Sequence, residues 1–346
     1  MMSSVVATAA LPSALSAARR RLALGLALAT LASAFCGLVA GSDGWSLAAL
    51  ADPAMGQVVW QIRAPRTLGA WLTGALLGLG GAIAQGLFRN PLADPYLLGS
   101  ASGAGLGVVL VLAAASATSG VWLDGASAQW IARAGLLSAA FAGALLGVGL
   151  TLLLARGAQH TTHLLLAGVV VGVVLGAAAD LLTLVAPDAL RGKQAFMLGT
   201  TGFLGWDSCA TLALASALLL PLAQRYSRAL DALTLGEDSA RSLGLPLQQV
   251  RWLLVVMLAL ATGTAVSQAG LVAFVGLVAP HLVRRRVQAT HGLTLLASAA
   301  TGGVLLLASD VAARTVVAPQ ELPVGVLTAV LGGGYLLWLM HRKGVR

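Results

Sequence analysis

Few residues in this chain could do chemistry, and their spacing narrows what they could do. Asp180 and Asp310 stand inside otherwise apolar runs, where a carboxylate is costly and signals either an ion path or a partner. Asp310 precedes Arg314 by four residues, the acid-first helical spacing that favours a local pair. For Asp180 a paired or interfacial state outweighs a proton site. The five histidines, His160, His163, His281, His291 and His341, are scattered, with no HExxH pattern and no metal-ligand cluster. Cys36 and Cys209 lie in apolar runs and make neither a disulfide framework nor a metal set. The single Gly-Lys pair, Gly192-Lys193, is followed by Gln194 and lacks the first glycine of a phosphate-binding loop. Gly103-Ala104-Gly105-Leu106-Gly107 lies within an apolar run, so its glycines serve packing and not a nucleotide turn. No catalytic residue, metal site or cofactor is expected in this chain, and it is expected not to be an enzyme.

Basic residues are more suggestive. Arg63-Ala64-Pro65-Arg66 sets two guanidiniums beside the start of an apolar run, with Pro65 stiffening the turn, and Arg314 stands at the end of another. Snorkelling to a membrane interface accounts for each one alone. Gathered on one outer face, they would suit bidentate capture of carboxylates on a docking protein.

The elements that must position these residues are set by composition. Of 346 residues, 58% are hydrophobic and 10% charged, against roughly 25% charged in a soluble domain. The apolar runs are continuous and rich in Ala, Leu and Gly, not alternating, so they cross the membrane as helices and not as barrel strands. An all-α integral membrane protein of about ten transmembrane helices is predicted, with spans near 22–40, 66–88, 96–116, 131–154, 163–186, 205–224, 250–267, 270–284, 292–311 and 322–341. The run after Arg19-Arg20-Arg21 reads as an uncleaved first span, and residues 1–18 as a flexible lead-in.

Placing both termini in the cytoplasm puts 15 of the 21 basic residues inside and 6 outside, which satisfies the positive-inside rule in this orientation alone. That distribution also explains the net charge of +9, so no nucleic-acid partner is implied. Trp45, Trp60, Trp122, Trp130 and Trp206 fall near the outer interface, Trp252 and Trp338 near the inner one. Glycines at four-residue spacing, Gly74/Gly78, Gly99/Gly103/Gly107, Gly143/Gly147 and Gly168/Gly172/Gly176, predict close helix packing within one bundle. Pro280 is expected to kink or end its helix. Between two apolar runs lies a polar island, 225–251, reading RYSRALDALTLGEDSARSLGLPLQQVR. It is cytoplasmic in this orientation. Leu235, Leu243 and Leu245 offer apolar knobs on it, and Gly244-Leu245-Pro246 ends a short helix.

Three motifs then line up with a known family. RAPRTLGAWLTGALLGLGGAIAQGLFRNPLADPYLLGSASGAGLG from Arg63, LGEDSARSLGLP from Leu235 and GLVAFVGLVAPHLVRR from Gly270 together resemble the FecCD family of ABC importer permeases, over most of the chain from Arg63 onward. The resemblance implies the permease fold of the vitamin B12 importers, a single transmembrane domain over 1–346, in the bacterial inner membrane. It implies a second copy of the chain around a central path, two ATP-binding cassette subunits that bind ATP and Mg, and a periplasmic substrate-binding protein. The cargo would be a metal chelate: a ferric siderophore, haem or cobalamin, moved from periplasm to cytoplasm. Within 225–251, Leu235, Gly236, Glu237, Ala240, Leu243 and Gly244 take the family's ATPase-coupling positions, and Arg63, Arg66 and Arg314 its binding-protein docking positions. Gln85, Ser267 and Gln268 are the polar candidates beside the path, though a bond to a neighbouring helix outweighs a path role for each. The rival reading is an ion-coupled secondary carrier of a small hydrophobic or chelated solute, whose transport would follow the proton gradient and not ATP.

Overall fold

The computed structural model describes residues 3–41, 44–46, 53–117, 126–155 and 161–343. Trp122, Arg156, His160 and Arg346 lie outside the described residues.

A long first helix, α1 (Ser3–Val39), runs through the stretch expected as a flexible lead-in. After a two-residue antiparallel pairing of β1 (Ala40–Gly41) with β2 (Gly44–Trp45), helix α2 (Pro53–Val58) passes through a π-helical turn, Val59–Arg63, into α3 (Ala64–Leu87). Nearly all of α3 is buried, 89% of its most apolar window. A helix apolar on every side must be enclosed by others.

The chain continues as α4 (Ser100–Ala117), α5 (Ala126–Leu154), α6 (Thr161–Val185), the short α7 (Asp188–Leu198) and α8 (Trp206–Arg225). The polar island holds α9 (Ser227–Thr234) and α10 (Glu237–Ser242), followed by α11 (Leu247–Ala269), α12 (Val275–Arg286), α13 (His291–Thr315) and α14 (Val324–Lys343). The core is α3 with α11, α12 and α13 around it. By contrast α1 is 11% buried and its outward leucines face the lipid.

The glycine stripes explain how closely these helices approach. A Cβ on Gly74 or Gly302 would overlap a backbone carbonyl of the partner helix, joining α3 to α13. Gly103 and Gly143 do the same for α4 and α5. Gly176, by contrast, meets nothing within 4 Å, so its stripe stops being a contact there.

Among the described residues, eight helices are long and apolar enough to cross a membrane, and the expected spans 96–116 and 270–284 are not among them. Helix α4 is simply shorter. The other is a broken span: α11 ends at Gly270 (φ +70°), residues 270–274 are without helix, and Phe274 is left-handed at φ +66° before α12 starts. Twelve helical residues rise about 18 Å, short of the roughly 30 Å of hydrocarbon, so α12 does not cross it by itself. Pro280 does not end the helix, which continues to Arg286. The carbonyl of Gly276, which a residue other than proline at 280 would engage, faces Gly81 of α3 in close contact.

Candidate functional sites at the two membrane faces

The cytoplasmic island folds into a platform fixed to the bundle. Leu230 and Leu233 of α9 are buried against the core. Asp231 on the same helix accepts hydrogen bonds from the backbone N–H of His291 at 2.8 Å and its Nδ1 at 2.7 Å. It thereby caps α13, whose own Thr290 makes no side-chain cap. Gly236 then adopts φ +105° and ψ 158°, which no side-chain-bearing residue holds without strain.

From there α10 packs on buried Ala240 and stops in a Schellman closure. The N–H of Gly244 (φ +78°) bonds the Arg241 carbonyl at 2.9 Å, and that of Leu245 bonds Ala240 at 3.2 Å. This geometry separates the three leucines: Leu235 is 67% and Leu243 65% exposed, while Leu245 turns in to the core. So only two of the three expected knobs face outward.

Glu237 is turned largely inward, its side chain 26% exposed. Its carboxylate pairs with Arg251 at 2.5 Å and Arg89 at 3.9 Å, and accepts a hydrogen bond from the Thr161 hydroxyl at 3.5 Å. Arg251 is 2% exposed. Glu237 therefore ties the platform to the base of α11 and to the 88–99 loop. The RNPLADP stretch of the first family motif forms this loop. Arg89 takes φ +49°, Asn90 Oδ1 accepts the Leu92 N–H at 2.9 Å, and Asp94 accepts that of Tyr96 at 2.8 Å. Burial pushes the Asp94 carboxyl up to about 6, against the lowering effect of that hydrogen bond. Tyr96 fastens the loop to Val272, in the break before α12, at 3.1 Å.

At the outer face the structure brings Arg63, Arg66 and Arg314 close to one another, but not as free guanidiniums. Their exposures are 7%, 8% and 2%. Arg66 pairs with Asp310 at 3.0 Å and with Glu321 at 2.9 Å, while Arg314 pairs with Asp310 and donates to Gly37 O at 3.1 Å. Arg63 donates to the carbonyls of Leu38 and Val39, each at 3.1 Å. The ends of α1, α3 and α13 converge there, leaving carbonyls that these buried donors satisfy. The local Asp310–Arg314 pair is present, and Asp180 pairs with Lys193.

Ser267 and Gln268 line an outer-half cavity of about 770 Å³, with Leu112, Leu136, Phe196 and Phe203 among its apolar walls and Arg133 at its edge. The Oε1 of Gln268 is buried there without a hydrogen-bond partner. Ser267 bonds back to Thr264 O at 2.9 Å. Gln85 is elsewhere: it donates to Leu277 O at 3.1 Å and accepts from Arg284, so it joins α3 to α12. Among the described residues no group of three metal-ligating side chains occurs.

This bundle, with its broken span and cytoplasmic platform, matches known proteins along nearly its whole length. The FecCD transport family profile covers residues 24–342. The chain belongs to that family. It is 40% identical to the hemin transport system permease protein of Yersinia pestis over 296 residues, 84% of this chain and 85% of that one. To the vitamin B12 import system permease protein of Salmonella typhimurium it is 38% identical over 323 residues, 92% and 94% of the two chains. A solved inward-facing ABC transporter structure, described as of metal-chelate type, superposes with a TM-score of 0.78 at 27% identity, covering 93% of this chain and 99% of that one. A FecCD permease is the membrane-spanning subunit of an ABC importer in the bacterial inner membrane. It works beside an ATPase and other subunits, and is not itself an enzyme.

Proposed function

We propose that two copies of this chain form an ATP-driven passage for a bulky metal chelate, haem, cobalamin or a ferric siderophore, from periplasm to cytoplasm. Two cassette subunits would bind ATP and Mg below, and a periplasmic binding protein would deliver cargo above. The observation that carries this reading is the platform: Leu235 and Leu243 stand outward on a loop locked by Gly236, Gly244 and the Glu237–Arg251 pair. Rigidly held, isolated apolar knobs suit insertion into a cleft of another protein, and a fixed platform transmits the motion of that protein to α9, α11 and α13.

The cavity beside Gln268 supports passage of a large, weakly held cargo, since its walls are mostly apolar and its one orphaned acceptor gives few fixed contacts. An ion-coupled carrier is disfavoured because both candidate intramembrane acids, Asp180 and Asp310, are committed to basic partners. For docking of the binding protein, the outer cluster supplies three guanidiniums against the two carboxylates of Asp310 and Glu321. A partner's carboxylate would meet the residual positive charge of that group.

Reconstitution in liposomes with the cassette subunits and the binding protein tests the proposal. Uptake of haem, cobalamin or a ferric siderophore should require ATP and persist when a protonophore collapses the gradient. Uptake that stops with the protonophore while ATP remains would replace the importer by the carrier.

A further inference from the structure

A second cavity, of about 710 Å³, lies at the cytoplasmic end between α1 and the α12–α13 pair. Helix α1 touches the body mainly through α13, and below that contact it leaves a crevice. The walls are apolar, with Leu22, Leu26 and Leu282 among them, and Arg21 and Arg286 stand at its rim. Among the described residues no acidic side chain lines it.

The three arginines that end α12 explain why Arg286 faces this way. Successive helical residues point about 100° apart. Arg284 reaches inward to Gln85, while Arg285 donates to the Tyr335 hydroxyl at 3.2 Å and lies 5.9 Å from the centre of the Trp338 ring. Arg286 is left exposed at the α1 crevice, whose opposite wall carries the exposed Arg21.

Arg21 precedes the apolar run of α1 and Arg286 ends α12, both on the cytoplasmic side in the positive-inside orientation, at the level of lipid headgroups. An apolar crevice below that level is filled by hydrocarbon, since water finds no partners there. A pair of guanidiniums above it binds a phosphodiester by bidentate hydrogen bonds. Basic pockets between membrane helices on the cytoplasmic side have this recognition chemistry. We infer that the crevice between α1 and α12 is a binding site for one anionic phospholipid of the inner leaflet, its acyl chains along Leu22, Leu26 and Leu282 and its phosphate between Arg21 and Arg286.

The full chain, delipidated in mild detergent, is titrated with dioleoyl phosphatidylglycerol, with phosphatidylcholine of the same acyl chains, and with inorganic phosphate. Retained lipid is counted by native mass spectrometry and thermal unfolding is followed in parallel. Phosphatidylglycerol should be retained about tenfold better than phosphatidylcholine and raise Tm, and inorganic phosphate should not. R21Q/R286Q should bring phosphatidylglycerol down to the phosphatidylcholine level. Gly25 lines the crevice and a Cβ there meets nothing within 4 Å, so Gly25→Phe should fill the acyl space and expel both lipids. Equal retention of the two lipids by the wild-type chain, or a Tm rise reproduced by phosphate alone, overturns the assignment. So does undiminished phosphatidylglycerol in either variant.

Discussion

The outer ends of α3 and α13 and the cytoplasmic platform treat charge and apolar surface in opposite ways. Outside, Arg66, Asp310 and Arg314 are at most 8% exposed and bond one another and the chain ends around them. Inside, the salt bridge is turned into the protein through Glu237 and Arg251, while Leu235 and Leu243 are turned out. The outer network pairs its charges within the chain and reads as a rivet. The platform is incomplete by itself: two large apolar side chains at more than 60% exposure, outside the lipid, are what a partner covers.

That contrast breaks most sharply at Asp310. Its carboxylate is 0% exposed and serves both Arg66 and Arg314. Asp310→Ala leaves buried guanidiniums without their shared counter-charge, a change of about 3–5 kcal/mol. A collapse in membrane yield and Tm is expected, without any partner present. If Asp310→Ala folds with an unchanged Tm, the outer cluster is not structural.

Substitution of the outward leucines should do the reverse. Leu235→Asp with Leu243→Asp should leave the subunit's Tm within error, since neither side chain is packed, while weakening ATPase association by about 2 kcal/mol per residue if both act as interface anchors, or about 30-fold each. Co-purification of the cassette subunit, measured beside Tm, reads the two effects separately. Full assembly in this double variant would remove α10 as the contact.

Much of this was legible in the sequence, for reasons that differ by residue. Membrane crossing is written in local composition, and helix packing in the four-residue glycine spacing, so the bundle was readable. The end of α10 was readable too, because Gly244-Leu245-Pro246 closes a helix by local hydrogen bonds. What could not be read were contacts far apart in sequence. Arg66 meets Asp310 across 244 positions and Arg314 meets Gly37 across 277, so three arginines that look like surface charges are interior. The broken span was hidden for another reason: residues 270–280 are apolar throughout, and only the left-handed Phe274 shows that the helix starts late.

Glu237 tests where the rivet ends and the contact begins, because it belongs to both. Glu237→Gln keeps the shape but weakens a charge-assisted bond to buried Arg251, so a loss of about 1–3 kcal/mol is expected. The lowered Tm should appear in the isolated subunit, and transport should fall more than ATPase binding does, since Leu235 and Leu243 remain exposed. If ATPase binding falls while Tm holds, Glu237 faces the partner after all.

Glu321 gives the smallest and most selective change. Its side chain is 37% exposed and its carboxylate accepts from the Arg66 Nη1, so among the described residues it is the member of the outer network most within reach of a docking protein. Glu321→Gln removes a negative charge at the rim and leaves the Arg66–Asp310 pair in place. If the outer cluster attracts acidic residues, this variant should bind the periplasmic protein about threefold more tightly at low salt, with the gain fading as ionic strength approaches the physiological range. Tm should move little, because an exposed ion pair contributes little to stability. An affinity indifferent to both the substitution and the salt would confine Arg63, Arg66 and Arg314 to holding α1, α3 and α13 together, and docking would then belong to other residues of the outer loops.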